Sequence, residues 1–161
     1  MAHKFEARLE SRDFKTVAPD TSAALAALSK AATARGLEKS VVELVKIRAS
    51  QINGCAFCLQ MHLDDARRMQ VDEAKLNLVV AWREAPVFTE RERAALAWTE
   101  ALTLVPQGVS DEIYATARAA YSELELADLS TAIIAINAWN RLGVAYRFTP
   151  VVHEAARQKA S

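Results

Sequence analysis

Long apolar runs, surplus charge of either sign, glycine, proline and cysteine are all scarce in this sequence. No stretch of about 18 apolar residues occurs, so no segment is expected to span a membrane. The opening "MAHKFEARLE" is polar and lacks the apolar centre of a secretory signal, which makes the cytoplasm the expected compartment. Twenty basic residues balance twenty acidic ones. That balance argues against nucleic acid as a main partner, because phosphate binding needs a net basic face. Only two cysteines are present, too few for a secreted disulfide framework.

Glycine and proline number four each and fall mostly between periodic segments. Pro19, Gly36, Gly54, Pro86, Pro106, Gly108 and Pro150 act as punctuation. Gly143 is the exception, read as the loosening end of a helix. The 161 residues are 52% hydrophobic, much of it alanine, and suit one domain spanning 1–161 with a sizeable core. The spacing of apolar residues predicts helices over 20–35, 38–52, 55–69, 72–83, 90–104, 111–121 and 123 to about 142, with a short tail helix after Pro150. Asp20 or Thr21 is the expected cap of the first, and Asn53-Gly54 closes the second. Thr89 with Glu92 and Ser122 with Glu125 form capping boxes. The segment "AIIAIN" has the composition of a strand, but the helical period runs through it via Leu126, Leu129, Ile133, Ile136 and Trp139. The expected fold is an all-α helical bundle with the C-x-x-C at the start of a helix.

The chemistry is concentrated in "ELVKIRASQINGCAFCLQMH", residues 43 to 62. Cys55 and Cys58 are at i, i+3, and Cys58 and His62 at i, i+4. On a helix starting near Cys55 all three share one face. Unpaired N–H groups at a helix N-terminus stabilise a thiolate, and an imidazole nearby adds a base. The spacing also lets the two sulfurs close into a disulfide with little backbone movement. Three readings of the residues stand side by side: a redox centre, a zinc site with Glu43 as a fourth ligand, and a pair of buried core cysteines. Glu43 by itself reads as part of a solvated stripe with Lys39, Lys46 and Ser50, paired to Lys46 at i, i+3.

Glu43, Cys55, Cys58 and His62 match the pattern E-x11-C-x-x-C-x3-H at every spacing. In this the chain resembles the alkylhydroperoxidase AhpD-like branch of the carboxymuconolactone decarboxylase family. "AWREAPVFTERERAALAWTEAL" and "INAWNRLGVAYR" also look familial, and the resemblance covers about 40 to 150. It implies an all-helical, thiol-dependent peroxidase that assembles as a homo-oligomer, trimer or hexamer. Cys58 would be the peroxidatic cysteine and Cys55 the resolving one, with His62 and Glu43 as the proton relay. The implied partners are a peroxide substrate and an external dithiol donor, lipoyl-bearing or thioredoxin-like. No metal, haem or flavin cofactor is required. Phe57 stands between the cysteines where the best-known member has a further histidine. The alternatives are a redox-responsive regulatory protein using the same switch and, more remotely, a decarboxylase, whose members lack the cysteine pair.

Of the remaining residues, His3 and His153 read as surface histidines of the chain ends. Trp82, Trp98 and Trp139 sit on apolar faces as packing residues. Trp139 and Asn140 are further candidates for a pocket wall. Arg48 and Arg141 read as structural ion-pair partners.

Overall fold

A computed structural model describes residues 6–152. Among the described residues the regular structure is helical, without a strand. The helices are α1 (Ser11–Val17), α2 (Pro19–Ala31), α3 (Lys39–Asn53), α4 (Ala56–Arg68), α5 (Glu73–Leu78), α6 (Glu90–Thr103), α7 (Asp111–Ala120) and α8 (Glu123–Tyr146). Short 3-10 turns follow α5 and α6. No helix among the described residues is long and apolar enough to cross a membrane.

Local chemistry sets most boundaries. The Thr89 and Ser122 capping boxes both form, each satisfying two orphan N–H groups. Ser110 and Asp72 cap α7 and α5. Four boundaries differ from expectation. Helix α2 begins at Pro19, without a side-chain cap from Asp20 or Thr21, because proline at the first helical position is preset in φ and has no N–H to satisfy. Its regular part ends at Ala31, and residues 32–35 are turn. The segment expected to be helical over 72–83 is α5 plus a 3-10 turn at Val79–Ala81. Gly143 does not end α8, which continues to Tyr146. Helix α1 was not foreseen; its seven residues bury one side chain, Phe14, too little for a periodic signal. Residues 151–152 are not helical, and the rest of the expected tail helix lies outside the described residues, as do His3 and His153.

Helix α3 is the centre of the bundle. It is covered nearly all round: from 41 to 53 every residue is buried or half-buried, the polar Glu43 and Ser50 included. Val41, Val42 and Val45 pack with Trp98 of α6 and Leu129 and Ile133 of α8. Leu44 and Ile47 pack on the other side with Leu76, Val79, Trp82, Phe88 and Leu96. Each such side chain contributes about 1.5–3 kcal/mol of burial. A third, smaller cluster joins Ala49, Ile136, Phe57 and Trp139 to the two cysteines.

Candidate active site

A tight turn delivers the cysteines. Gly54 takes the left-handed conformation at φ 69°, and the amides of Gly54 and Cys55 donate to the carbonyls of Gln51 and Ser50. These two bonds close α3 and aim the chain back along it. Cys55 is then the N-cap of α4, its Sγ accepting from the Cys58 amide at 3.3 Å. Cys55 and Cys58 are joined by a disulfide with Cα atoms 5.4 Å apart, and both are buried. A buried amide network anchors the turn. Asn53 Nδ2 donates to Asn137 Oδ1 and Asn140 Oδ1, each at 3.0 Å, and Asn140 Nδ2 donates to Ser50 Oγ. Side chains at the end of α3 are thereby tied to α8.

Because α4 folds back beside α3, Glu43 and His62 meet although 19 positions separate them. His62 Nδ1 lies 2.8 Å from Glu43 Oε2, and Lys46 Nζ donates to Glu43 Oε1 at 2.8 Å. Glu43 is only 4% exposed, so it is no part of a solvated stripe, although its i, i+3 pair with Lys46 does form. Burial opposes ionisation of Glu43, but the bonds and charges of His62 and Lys46 outweigh it and hold the carboxyl below its ordinary range. An ionised carboxylate only accepts, so Nδ1 of His62 carries the hydrogen and neutral His62 keeps Nε2 as an acceptor. Glu43, His62 and Asp65 place possible ligand atoms within 4.8 Å of one another. Both Glu43 oxygens, however, already accept hydrogen bonds, and the sulfurs are bonded to each other.

Cys58 and His62 line a cavity of about 350 Å³. Its walls are mainly apolar, with Phe57, Ile136, Trp139 and Phe148 prominent, and Ser11 and Lys15 of α1 complete it. Helix α1 is strapped across the end of α8: the Arg8 and Leu9 amides donate to Tyr146 O, and Phe14 packs 5.5 Å from Tyr146 and 6.1 Å from Phe148. Phe57 meets Phe148 edge-on at 5.5 Å. Trp139 is therefore a wall residue, whereas Asn140 belongs to the buried amide network. Arg48 pairs with Glu100 at 2.8 Å, and Arg141 donates to the Asn137 carbonyl. Trp82 and Trp98 are packing residues whose indole N–H groups donate to Glu100 and Ser130.

The profile of the "Carboxymuconolactone decarboxylase family" matches residues 19–101, which include all four motif residues. The chain belongs to the carboxymuconolactone decarboxylase family. A relative in Bacillus subtilis (strain 168), the uncharacterized protein YdfG, is 38% identical over 130 residues, covering 80% of this chain and 88% of YdfG. The crystal structure of a protein of unknown function from Agrobacterium tumefaciens, described as a candidate antioxidant defence protein AhpD, superposes with a TM-score of 0.87. It is 38% identical and covers 92% of this chain and 100% of its own. The debrominase Bmp8 in complex with 2,3,4-tribromopyrrole shares the fold at a TM-score of 0.78 and 21% identity, covering 89% of this chain and 78% of its own. The helical architecture and the AhpD-like resemblance thus stand together within this family.

Two features of the site escaped sequence reasoning. The α1 strap carries too little burial to be periodic. Gly143 had a signal that was misread: a glycine within an unbroken helical pattern points to close packing. A methyl group at Gly143 would sit 2.6 Å from Cys55 Sγ and 3.4 Å from Cys58 Sγ. Bare backbone there lets the sulfurs nest against α8.

Proposed function

We propose that this chain is a thiol-dependent peroxidase acting in the cytoplasm through a Cys55/Cys58 dithiol–disulfide cycle. The observation that carries the reading is the bonded cysteine pair beside the Glu43–His62 couple, at one side of a substrate-sized, mainly apolar cavity. In the reduced protein, Cys58 is in the first turn of α4, where the helix N-terminus favours a thiolate. His62, oriented by Glu43, takes the thiol proton through Nε2, directly or through a water. The thiolate attacks the terminal oxygen of the hydroperoxide. The O–O bond breaks, an alkoxide leaves, and the imidazolium returns the proton to give the alcohol. Cys58 is then a sulfenic acid. The Cys55 sulfur attacks it, expelling hydroxide that leaves as water with the Cys55 proton. Peroxide and two thiols become alcohol, water and one disulfide. An external dithiol, lipoyl-bearing or thioredoxin-like, restores the thiols by exchange.

Homo-oligomerisation, as trimer or hexamer, is part of the same reading. An interface along α8 would cover the exposed Leu124, Ile134 and Val144. A stable monomer by light scattering at micromolar concentration contradicts it.

The deciding experiment follows peroxide consumption with dihydrolipoamide as reductant, alongside thiol counting before and after one equivalent of peroxide. Turnover with loss of both thiols supports the peroxidase. Disulfide formation without turnover favours the redox-responsive regulator. Debromination of tribromopyrrole without peroxide reduction overturns the reading.

A further inference from the structure

Hydrogen peroxide needs no cavity of about 350 Å³, a volume in the range of small-molecule sites. The charge around this one is unbalanced. Lys15 and Lys46 line it and no Asp or Glu does. Lys46 is committed to Glu43. The hydroxyl of Ser29, another lining residue, donates to the Leu25 carbonyl. Lys15 differs from both: it is exposed, and among the described residues it makes no ion pair or side-chain hydrogen bond. Its neighbour Asp13 pairs instead with Arg12. Nor is Lys15 placed by a floating segment. Phe14 packs its helix on Tyr146 and Phe148, and Glu10 accepts from the Thr149 hydroxyl at 2.8 Å. A lysine on a fixed helix, its ammonium uncommitted, thus lines the same mainly apolar chamber as the reactive sulfur.

We infer that the preferred substrate is an amphipathic hydroperoxide bearing a carboxylate: its apolar chain fills the chamber, its peroxide meets Cys58 and its carboxylate meets Lys15. The inference rests on the peroxidase reading and deepens it. The product is the corresponding hydroxy acid, with one water released as the disulfide closes. A methylated carboxyl has the same chain and the same O–O bond but no charge for Lys15 to attract.

The test is single-turnover oxidation of the fully reduced protein, followed by rapid alkylation of the remaining thiols. The probes are a medium-chain fatty acid hydroperoxide with its peroxide remote from the carboxyl, its methyl ester, shorter homologues of both, and hydrogen peroxide. The acid is expected to react about fivefold faster than the ester, the upper range for an exposed charge pair, and the ratio falls with added salt. Both gain roughly three- to fourfold per methylene buried. Lys15→Arg keeps the acid-to-ester ratio, Lys15→Gln brings it towards one and Lys15→Glu inverts it. A wild-type ratio near one, or a ratio that Lys15→Glu leaves unmoved, overturns the substrate class while the peroxidase stands. If no peroxide in the series oxidises the thiols, the peroxidase reading itself fails and this inference with it.

Discussion

Replacing Gly143 with alanine sets two physical effects of opposite sign against each other. In a helix interior, alanine is favoured over glycine by about 1 kcal/mol, so propensity alone predicts a more stable protein. The structure opposes this. The added methyl would lie 2.6 Å from Cys55 Sγ, roughly 1 Å inside the optimum contact distance. The sulfur has little room to yield. It is bonded to Cys58, it caps α4, and the Cys55 amide is held by the Ser50 carbonyl at 3.1 Å. Overpacking of this kind costs about 1–3 kcal/mol. The net expectation for the oxidised protein is a loss of about 0–2 kcal/mol. In the reduced protein Cys55 is free to rotate away, and the helical gain reappears. Gly143→Ala therefore destabilises the oxidised form relative to the reduced one, and the disulfide becomes easier to reduce. Urea unfolding of wild type and variant in both redox forms reads this directly. An oxidised variant about 1 kcal/mol more stable than wild type, or equal shifts in both forms, would refute the packing argument.

Other perturbations address the relay and the fold. Glu43→Gln and His62→Gln should each raise the apparent thiol pKa and slow peroxide attack at pH 7 by roughly ten- to a thousandfold, and the double variant should lose little more. The measurement is the pH dependence of Cys58 alkylation and peroxide reduction; a Glu43→Gln variant that behaves as wild type from about pH 5 to 9 removes Glu43 from the relay. Because the folded state depresses the Glu43 pKa below the ordinary glutamate value, its contribution to stability is present above that value and is lost as pH falls through the depressed one. Acid titration of stability should show this loss in wild type and a flatter profile in Glu43→Gln. In Cys55→Ser, peroxide should leave Cys58 as sulfenic and higher oxides, whereas wild type gives the 55–58 link; peptide mass mapping distinguishes them. Ser122→Ala removes the cap of α8 and should cost about 1 kcal/mol by thermal or urea unfolding.

The sequence alone determined what depends on neighbours along the chain. Helical period, the caps at Thr89 and Ser122, and the Asn53-Gly54 stop are short-range hydrogen-bonding and steric choices, and they are readable residue by residue. The same holds for Cys55, Cys58 and His62 on one face of α4, because one helical turn fixes their relation. Glu43 was different. Its local pattern with Lys39, Lys46 and Ser50 said solvated stripe, and only the fold of α4 onto α3 buried it against His62. The chamber was likewise beyond local reading, because its walls come from α1, α2, α3, α4, α8 and Phe148, and no spacing rule joins them. Gly143 shows the reason most plainly. Along the chain a glycine in a late helical turn looks like weakness, since only backbone entropy is visible there. In three dimensions its missing side chain is the space the sulfurs occupy, and that space exists only once α8 packs against the start of α4.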